Sequence, residues 1–233
     1  MSSSDDRYIL SIDLGTSGSK TALTTIYGDV IDFEFEAVPL HLKPGGAAEQ
    51  NPDDWWSAIM NTSKKLISKN QVPPESIIAI CSSTQWAGTV PLDQDGNHLM
   101  NAVIWMDSRG ERHVKDLIKG PIKIEGYDIR KLLKWIRLTG GAPGTSGKDP
   151  VGHIHLIKNE FNDVYQKTHV FLEPKDYINY RFTGKFAASY DSITCHWVTD
   201  NRDLSKVDYR KGLLKMTGLE REKLPDLKQS IDI

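Results

Sequence analysis

The stretch "SIDLGTSGSK", Ser11 to Lys20, decides the fold. An apolar run that starts at Tyr8 ends in the carboxylate of Asp13. A turn of Gly15, Thr16, Ser17 and Gly18 follows. After Lys20 the chain resumes as "KTALTTI", which alternates and is rich in Thr, as a strand is. The unit is therefore strand, turn, strand. That excludes both common phosphate loops, because G-x-G-x-x-G and the P-loop each open a helix. The turn still has chemistry of its own. Glycines let backbone N–H groups converge without a Cβ in the way, and converging N–H groups make an anion-binding concavity. Lys20 adds a point charge. Asp13, at the strand end, suits a hydrated Mg²⁺, which keeps waters and takes few carboxylates. On spacing alone two readings stay open: a polyphosphate cradle, or a plain hairpin with an incidental aspartate.

Outward from this unit, Gly28-Asp29 marks a second turn. "VIDFEFEAVPL" then alternates, with Val30, Asp32, Glu34 and Glu36 on one parity and Ile31, Phe33, Phe35 and Ala37 on the other. That predicts an edge strand with one wet, acidic face. "NPDDWWSAIMNTSKKLI" is a helix with a written start. Asn51 is the N-cap, Pro52 the first helical residue, and Asp53 and Asp54 complement the positive end of the dipole. Trp55, Ile59, Thr62 and Leu66 form its packing stripe. "SIIAICSS" from Ser76 is a continuous apolar run, predicted as a strand covered on both faces. Further helices are predicted in "SRGERHVKDLIKG", "DIRKLLKWIRLTG", "VGHIHLIKNEF", "PKDYINYRFTG" and "KVDYRKGLLKMTG", with strands in "TVPLD", "AVIWMD", "THVFLE" and "KFAASYDSITCHWVTD". Three hairpin-linked strands followed by intermixed helices and strands indicate an α/β fold with a mixed sheet.

The totals narrow the class. Over 233 residues, 29 Lys and Arg face 31 Asp and Glu, a net charge of −2. No basic excess points to nucleic acid. No apolar run reaches the ~20 residues of a membrane-spanning helix, and the polar N-terminus lacks a secretory pattern. A cytoplasmic protein is the expectation. Cys81 and Cys195 are too few and too far apart for a disulfide framework or a zinc site, and are read as reduced core thiols.

"SIDLGTSGSK" resembles the first phosphate-binding hairpin of the superfamily that holds sugar kinases, heat-shock chaperones and actin. "AEQNPDDWW", "CSSTQWAG", "PLDQDGNHLMNAVIWMDSRG", "LTGG" and "LEPKDYINYRFTGKFAASYD" are each similar to their counterparts in the FGGY carbohydrate kinases, with the xylulokinase branch the nearest. The resemblance runs from Tyr8 to about Leu227. It implies an actin-like, ribonuclease H-like ATPase domain. It also implies ATP and Mg²⁺ as cofactors and a free sugar, most simply a ketopentose, as acceptor. Asp13 would lie by the Mg²⁺ and the transferred phosphoryl group. Thr16, Ser17 and Lys20 would face the ATP phosphates. Gln85, Trp86 and Ala87 would contact the sugar, and Asp107 and Arg109 would stand beside its cleft. No nucleic acid or membrane is expected as a partner; a homodimer is one allowed assembly.

Two departures qualify the resemblance. Xylulokinases commonly carry Gln-Met-His-Gly where this chain has Gln85-Trp86-Ala87-Gly88, so another ketose or a polyol stays open as the acceptor. The family's general base, an aspartate in a Gly-Gly-Asp-type motif, opens a second domain that also holds the adenine pocket. The sequence stops short of that motif, so residues 1–233 are expected to be the N-terminal domain of a longer kinase, with the base beyond residue 233. The competing expectation is a stand-alone, non-catalytic sugar- or nucleotide-binding domain. Three other constellations are set aside. "APGTSGKD" has Ala142 and Asp149 where a P-loop needs Gly and Ser or Thr. His153 and His155 are two apart and point to different faces of a helix. Cys195-His196 lacks a third partner in sequence.

Overall fold

The computed structural model describes residues 7–232; residues 1–6, which hold most of the polar N-terminus, and residue 233 lie outside the described set. Two compact units form, Met1–Leu40 with Gln50–Gln85, and His41–Glu49 with Trp86–Ile233.

In the first unit β1 (Tyr8–Gly15), β2 (Gly18–Thr25) and β3 (Val30–Ala37) run as an antiparallel meander. Next in the chain come two short strands, β4 (His41–Lys43) and β5 (Ala47–Gln50), whose residues 41–49 belong to the second unit; helix α1 (Pro52–Ser68) is again in the first. β6 (Ile77–Thr84) returns parallel to β1, giving the order β3-β2-β1-β6. This is the mixed sheet that the sequence predicts. The start of α1 is also as read: the Asn51 side chain accepts the Asp53 N–H at 3.0 Å. Trp55, Ile59, Thr62 and Leu66 are all buried, as are Leu10, Ile12, Leu14 and Leu23 of the sheet.

Two expectations are overturned. The alternation of β3 is real, but its faces are exchanged. Lys65 and Asn61 of α1 reach Glu36, and Lys69 reaches Asp32 and Glu34. The acidic parity therefore lies toward the helix and its cations. Phe33 and Phe35, in register with Ala22 and Lys20, are 61% and 46% exposed. β6 is not covered on both faces either. It is the edge strand of this sheet, Ile78 and Ile80 stand about half exposed, and Cys81 is an exposed thiol rather than a core one. An apolar run shows that a strand can be buried; it does not supply the neighbour that buries it.

The tip of the β1–β2 hairpin depends on Gly18. A Cβ there would overlap the Glu36 carbonyl oxygen and the Phe35 ring. Gly18→Ala is expected to cost about 2 kcal/mol or more, because backbone rather than a flexible side chain blocks the methyl group; urea unfolding measures it.

The second unit holds β7 (Val90–Leu92), β8 (Ala102–Val103) and α2 (Glu111–Ile118). After a small hairpin of β9 (Lys123–Ile124) and β10 (Tyr127–Asp128), α3 (Ile129–Thr139) is capped by Asp128, whose carboxylate accepts the Arg130 and Lys131 N–H groups. α4 (Pro150–Glu160), α5 (Asn162–Lys167), β11 (Val170–Leu172) and α6 (Pro174–Thr183) follow. Trp135, Ile154, Leu156, Phe171 and Leu213 are among the side chains of its core. "KFAASYDSITCHWVTD" is mostly not strand. Only β12 (Ala187–Ser189) and β13 (Thr199–Asp200) form, around a 3₁₀ turn at Ser192–His196. The buried Asp176 carboxyl accepts the Ser189 N–H and the Ser192 hydroxyl, and so closes that turn. β14 (Asp208–Tyr209), α7 (Lys211–Thr217) and β15 (Asp226–Lys228) complete the chain. Among the described residues no helix is long and apolar enough to cross a membrane.

Candidate active site

The turn of the opening hairpin has two residues, Thr16 and Ser17, between the paired Gly15 and Gly18. Asp13 stands opposite Lys20, with Oδ2 3.7 Å from Nζ and both side chains more than half exposed. Such a pair contributes little stability, so both groups are free to turn to a ligand. Ser17 is exposed, and a Cβ on Gly15 would meet only the Gly18 carbonyl oxygen at 3.6 Å. A phosphate can thus approach the backbone closely. Among the described residues no group of three or more His, Cys, Asp or Glu gathers as a metal cage. One accessible carboxylate at a strand end fits an Mg²⁺ held chiefly by phosphate oxygens and water.

Gln85, at the end of β6, is fastened to this hairpin. Its N–H donates to the Leu14 carbonyl at 2.6 Å. Its side-chain oxygen accepts the Thr16 hydroxyl at 3.2 Å, and its amide donates to Gln50 Oε1 at 2.6 Å. Gln50, wholly buried at the end of β5, donates to the carbonyls of Thr16 (2.9 Å) and Pro39 (3.2 Å) and accepts the Trp55 indole N–H (3.2 Å). Trp55 is fully buried, as its place in the packing stripe of α1 predicts. Sequence reading missed Gln50. The signal was there: an amide just before an N-cap, in "AEQNP", sits where a strand hands over to a helix.

In the second unit Asp107, fully buried, accepts four N–H groups: Ala48 N at 2.9 Å, Arg109 N at 2.9 Å, and Arg109 Nε and Nη2 at 3.0 and 2.7 Å. Arg109 Nη2 also reaches Glu49 Oε1 at 2.7 Å, and Lys43 holds Glu49 Oε2 at 2.8 Å. Burial pulls the Glu49 carboxyl upward, but Lys43 and Arg109 outweigh it and keep the group below its usual range. The structure thus joins Asp107 to Arg109 and adds Glu49, which sequence reading did not single out. The arrangement presents a fixed, partly exposed guanidinium whose fork suits hydroxyl or carboxylate oxygens.

Trp86 is 56% exposed. Ala87 has φ +56°, a left-handed conformation that costs a non-glycine residue about 1 kcal/mol or more, and its N–H donates to Glu173 Oε2 at 3.1 Å. Glu173 is buried, and burial pushes its carboxyl well above the usual range. His196, 3.7 Å away, is driven down to about 3, also by burial. Asp176 is pushed up to about 7 by burial, which the hydrogen bonds from Ser192 and Ser189 oppose. A carboxyl raised on folding makes the native state the better proton binder, so its contribution is full below the unfolded value of 3.8 and is lost as pH rises toward 7. Asp176→Asn removes that term. Relative to the parent, the variant is expected to be about 3 kcal/mol worse at pH 5 than at pH 8, read from urea unfolding at both pH values.

The constellations set aside above stay so. Asp149 Oδ2 accepts the Gly144 N–H at 2.8 Å and the Trp197 indole N–H at 2.9 Å, so a carboxylate occupies the place that the "APGTSGKD" loop would give to a phosphate. Burial raises the Cys195 thiol to about 12, against a nucleophilic thiolate. His153 is buried against Thr89, with Nδ1 3.2 Å from Oγ1, and His155 Nε2 donates to the Thr217 carbonyl at 2.7 Å.

The three-stranded meander with its parallel return strand matches the actin-like fold that the resemblance implies. Solved structures with this fold include a gluconate kinase from Lactobacillus acidophilus (TM-score 0.78, 23% identical, 97% of this chain and 42% of that one) and a ligand-bound xylulose kinase from the same organism (TM-score 0.78, 22% identical, 96% and 42%). Residues 8–233 match the N-terminal domain of the FGGY family of carbohydrate kinases, and the chain belongs to that family. A xylulose kinase from Bacillus subtilis is 29% identical over 238 residues, covering 97% of this chain and 42% of that protein. A glycerol kinase from Thermococcus gammatolerans is 25% identical (98% and 44%), and a gluconokinase from Bacillus subtilis 24% (97% and 41%). The chain thus spans about two fifths of the length of these curated relatives.

Proposed function

We propose that this chain is the sugar-side and first phosphate-binding domain of an ATP-dependent kinase that phosphorylates a hydroxyl of a free sugar, with a ketopentose such as xylulose as the leading acceptor. The observation that carries the reading is the exposed Asp13–Lys20 pair beside the Thr16-Ser17 turn, within a family of carbohydrate kinases. Thr16, Ser17 and Lys20 take the ATP phosphates. Asp13 holds water or metal by the transferring group. Asp13 would hold an Mg²⁺ that enters with ATP, and the ion would supply charge that offsets the phosphates. Gln85, Trp86, Ala87, Asp107 and Arg109 orient the sugar. Its hydroxyl oxygen attacks the γ-phosphorus, the bond to the ADP oxygen breaks, and the hydroxyl proton passes to a base that the family resemblance puts beyond residue 233.

A second acceptor class has its own support. Trp86-Ala87 supplies an indole and a methyl group where xylulokinases commonly have Met-His, and relatives named for glycerol and gluconate match at 25% and 24% identity. A site built to bond one hydroxyl rejects analogues that lack it. ADP release by the native protein, coupled to NADH oxidation, over a panel of xylulose, ribulose, fructose, glycerol and gluconate tests both readings. Turnover led by a ketopentose supports the first. Turnover led by glycerol or gluconate moves the assignment to that acceptor, and no sugar-dependent ADP release from any of them removes it.

A further inference from the structure

The structure closes a ring of three side chains between the phosphate hairpin and the residue that precedes Trp86. Thr16 Oγ1 donates to Gln85 Oε1, Gln85 Nε2 donates to Gln50 Oε1, and Gln50 Nε2 donates back to the Thr16 carbonyl. Gln50 is completely buried, and both of its ends are bonded twice: its amide to Thr16 and Pro39, its oxygen to Trp55 and Gln85. A buried polar network that is fully satisfied admits few alternative arrangements, since any rearrangement leaves a donor or acceptor unpaired. A shift of Gln85 is therefore passed to the Thr16-Ser17 turn along two paths, its own bond with the Thr16 hydroxyl and the buried route through Gln50.

We propose that Gln50 is a positioning residue that couples the two ligand sites: a sugar engaged at Gln85-Trp86 sets the Thr16-Ser17 turn for the ATP phosphates, and by reciprocity ATP at the turn tightens the sugar site. The inference rests on the kinase reading above. Gln50 itself is completely buried, behind the residues assigned to either ligand. It is reached from both sides, by the Thr16 backbone and by the Gln85 side chain, and Trp55 of α1 fixes its oxygen. The coupling makes nucleotide binding respond to the acceptor.

The test is the affinity of the native protein for the non-hydrolysable analogue Mg·AMP-PNP, titrated by calorimetry with and without saturating sugar. The sugar is expected to tighten AMP-PNP about fivefold or more. Gln50→Met keeps the side-chain length and removes every bond. Its sugar and nucleotide affinities measured singly are expected to fall less than threefold, while the tightening falls to less than half of the parent's, the direct Thr16–Gln85 bond being left in place. Trp55→Phe removes only the indole donor and leaves the ring between Thr16, Gln85 and Gln50 closed; it is expected to retain the tightening. Gln50→Met with the parent's tightening overturns the inference, as does a parent whose AMP-PNP affinity ignores the sugar even though it phosphorylates that sugar. Should Gln50→Met not fold, hydrogen exchange in the parent decides. Slower exchange at residues 15–18 on adding sugar alone supports the coupling, and unchanged exchange there overturns it. A parent that binds and phosphorylates no sugar removes the kinase reading itself, and that result is distinct from every outcome above.

Discussion

On the proposed function, replacing Asp13 with Asn is expected to lower kcat for sugar phosphorylation about 10³-fold, with the KM for the sugar changed less than threefold. The size follows from the role: a preorganised charge beside the transferring phosphoryl group acts chiefly in the transition state, and losing one such group costs 10²–10³ in rate. The selectivity follows from the structure. Asp13 is more than half exposed, and its ion partner is Lys20 at 3.7 Å, an exposed pair of the kind whose loss unfolds nothing. Circular dichroism and urea unfolding of the variant are therefore expected to match the parent. A variant with the parent's kcat would show that the carboxylate has no part in transfer. A variant that loses activity and fold together would show a structural role instead.

Arg109→Met is expected to destabilise the protein by about 3–5 kcal/mol. Asp107 is fully buried, and Arg109 supplies most of its compensation, through Nε, Nη2 and the backbone N–H. Removing the guanidinium leaves a buried carboxylate with only backbone donors, and breaking such a pair costs far more than the pair contributes. Glu49 loses its second cation at the same time. The double variant Arg109→Met/Asp107→Leu, which removes both charges, is expected to recover part of that loss. Urea unfolding of the three proteins checks the cycle. If Arg109→Met alone costs less than 1 kcal/mol, Asp107 is not held as a buried anion and the account of this network fails.

The parts of the fold that were legible in sequence are those governed by local rules. Asn51-Pro52-Asp53-Asp54 wrote the start of α1, and Gly184 and Gly218, both left-handed caps, wrote the ends of α6 and α7; Gly120, which the same rule offers as the close of α2, is not a left-handed cap, and α2 ends at Ile118. The hairpin at Asp13 followed from a turn with no helix after it. What was not legible depends on neighbours distant in the chain. Phe33 and Phe35 are on the outer face because Lys65 and Lys69, some 30 residues later, draw the acidic parity of β3 toward α1. β6 is apolar enough to be buried on both faces, yet it stands at a sheet edge. The same division holds at the candidate site. Asp107 and Arg109 were singled out because the one short segment that holds both carries the family resemblance. Glu49, Gln50 and Glu173 were not, since each acts on a partner 35 to 86 positions away, and no spacing rule relates such positions.

The proposed role of this chain is to serve the transfer of a γ-phosphoryl group from ATP to a sugar hydroxyl. Phosphorus-31 NMR of the native protein with Mg·ATP and xylulose tests it directly, since free phosphate, ADP and a sugar monophosphate ester give separate signals. The account predicts that ADP and the ester rise together in equal amounts, and that Asp13→Asn suppresses both. Inorganic phosphate rising with ADP and no ester, or ATP left intact while sugar after sugar is added, would contradict it.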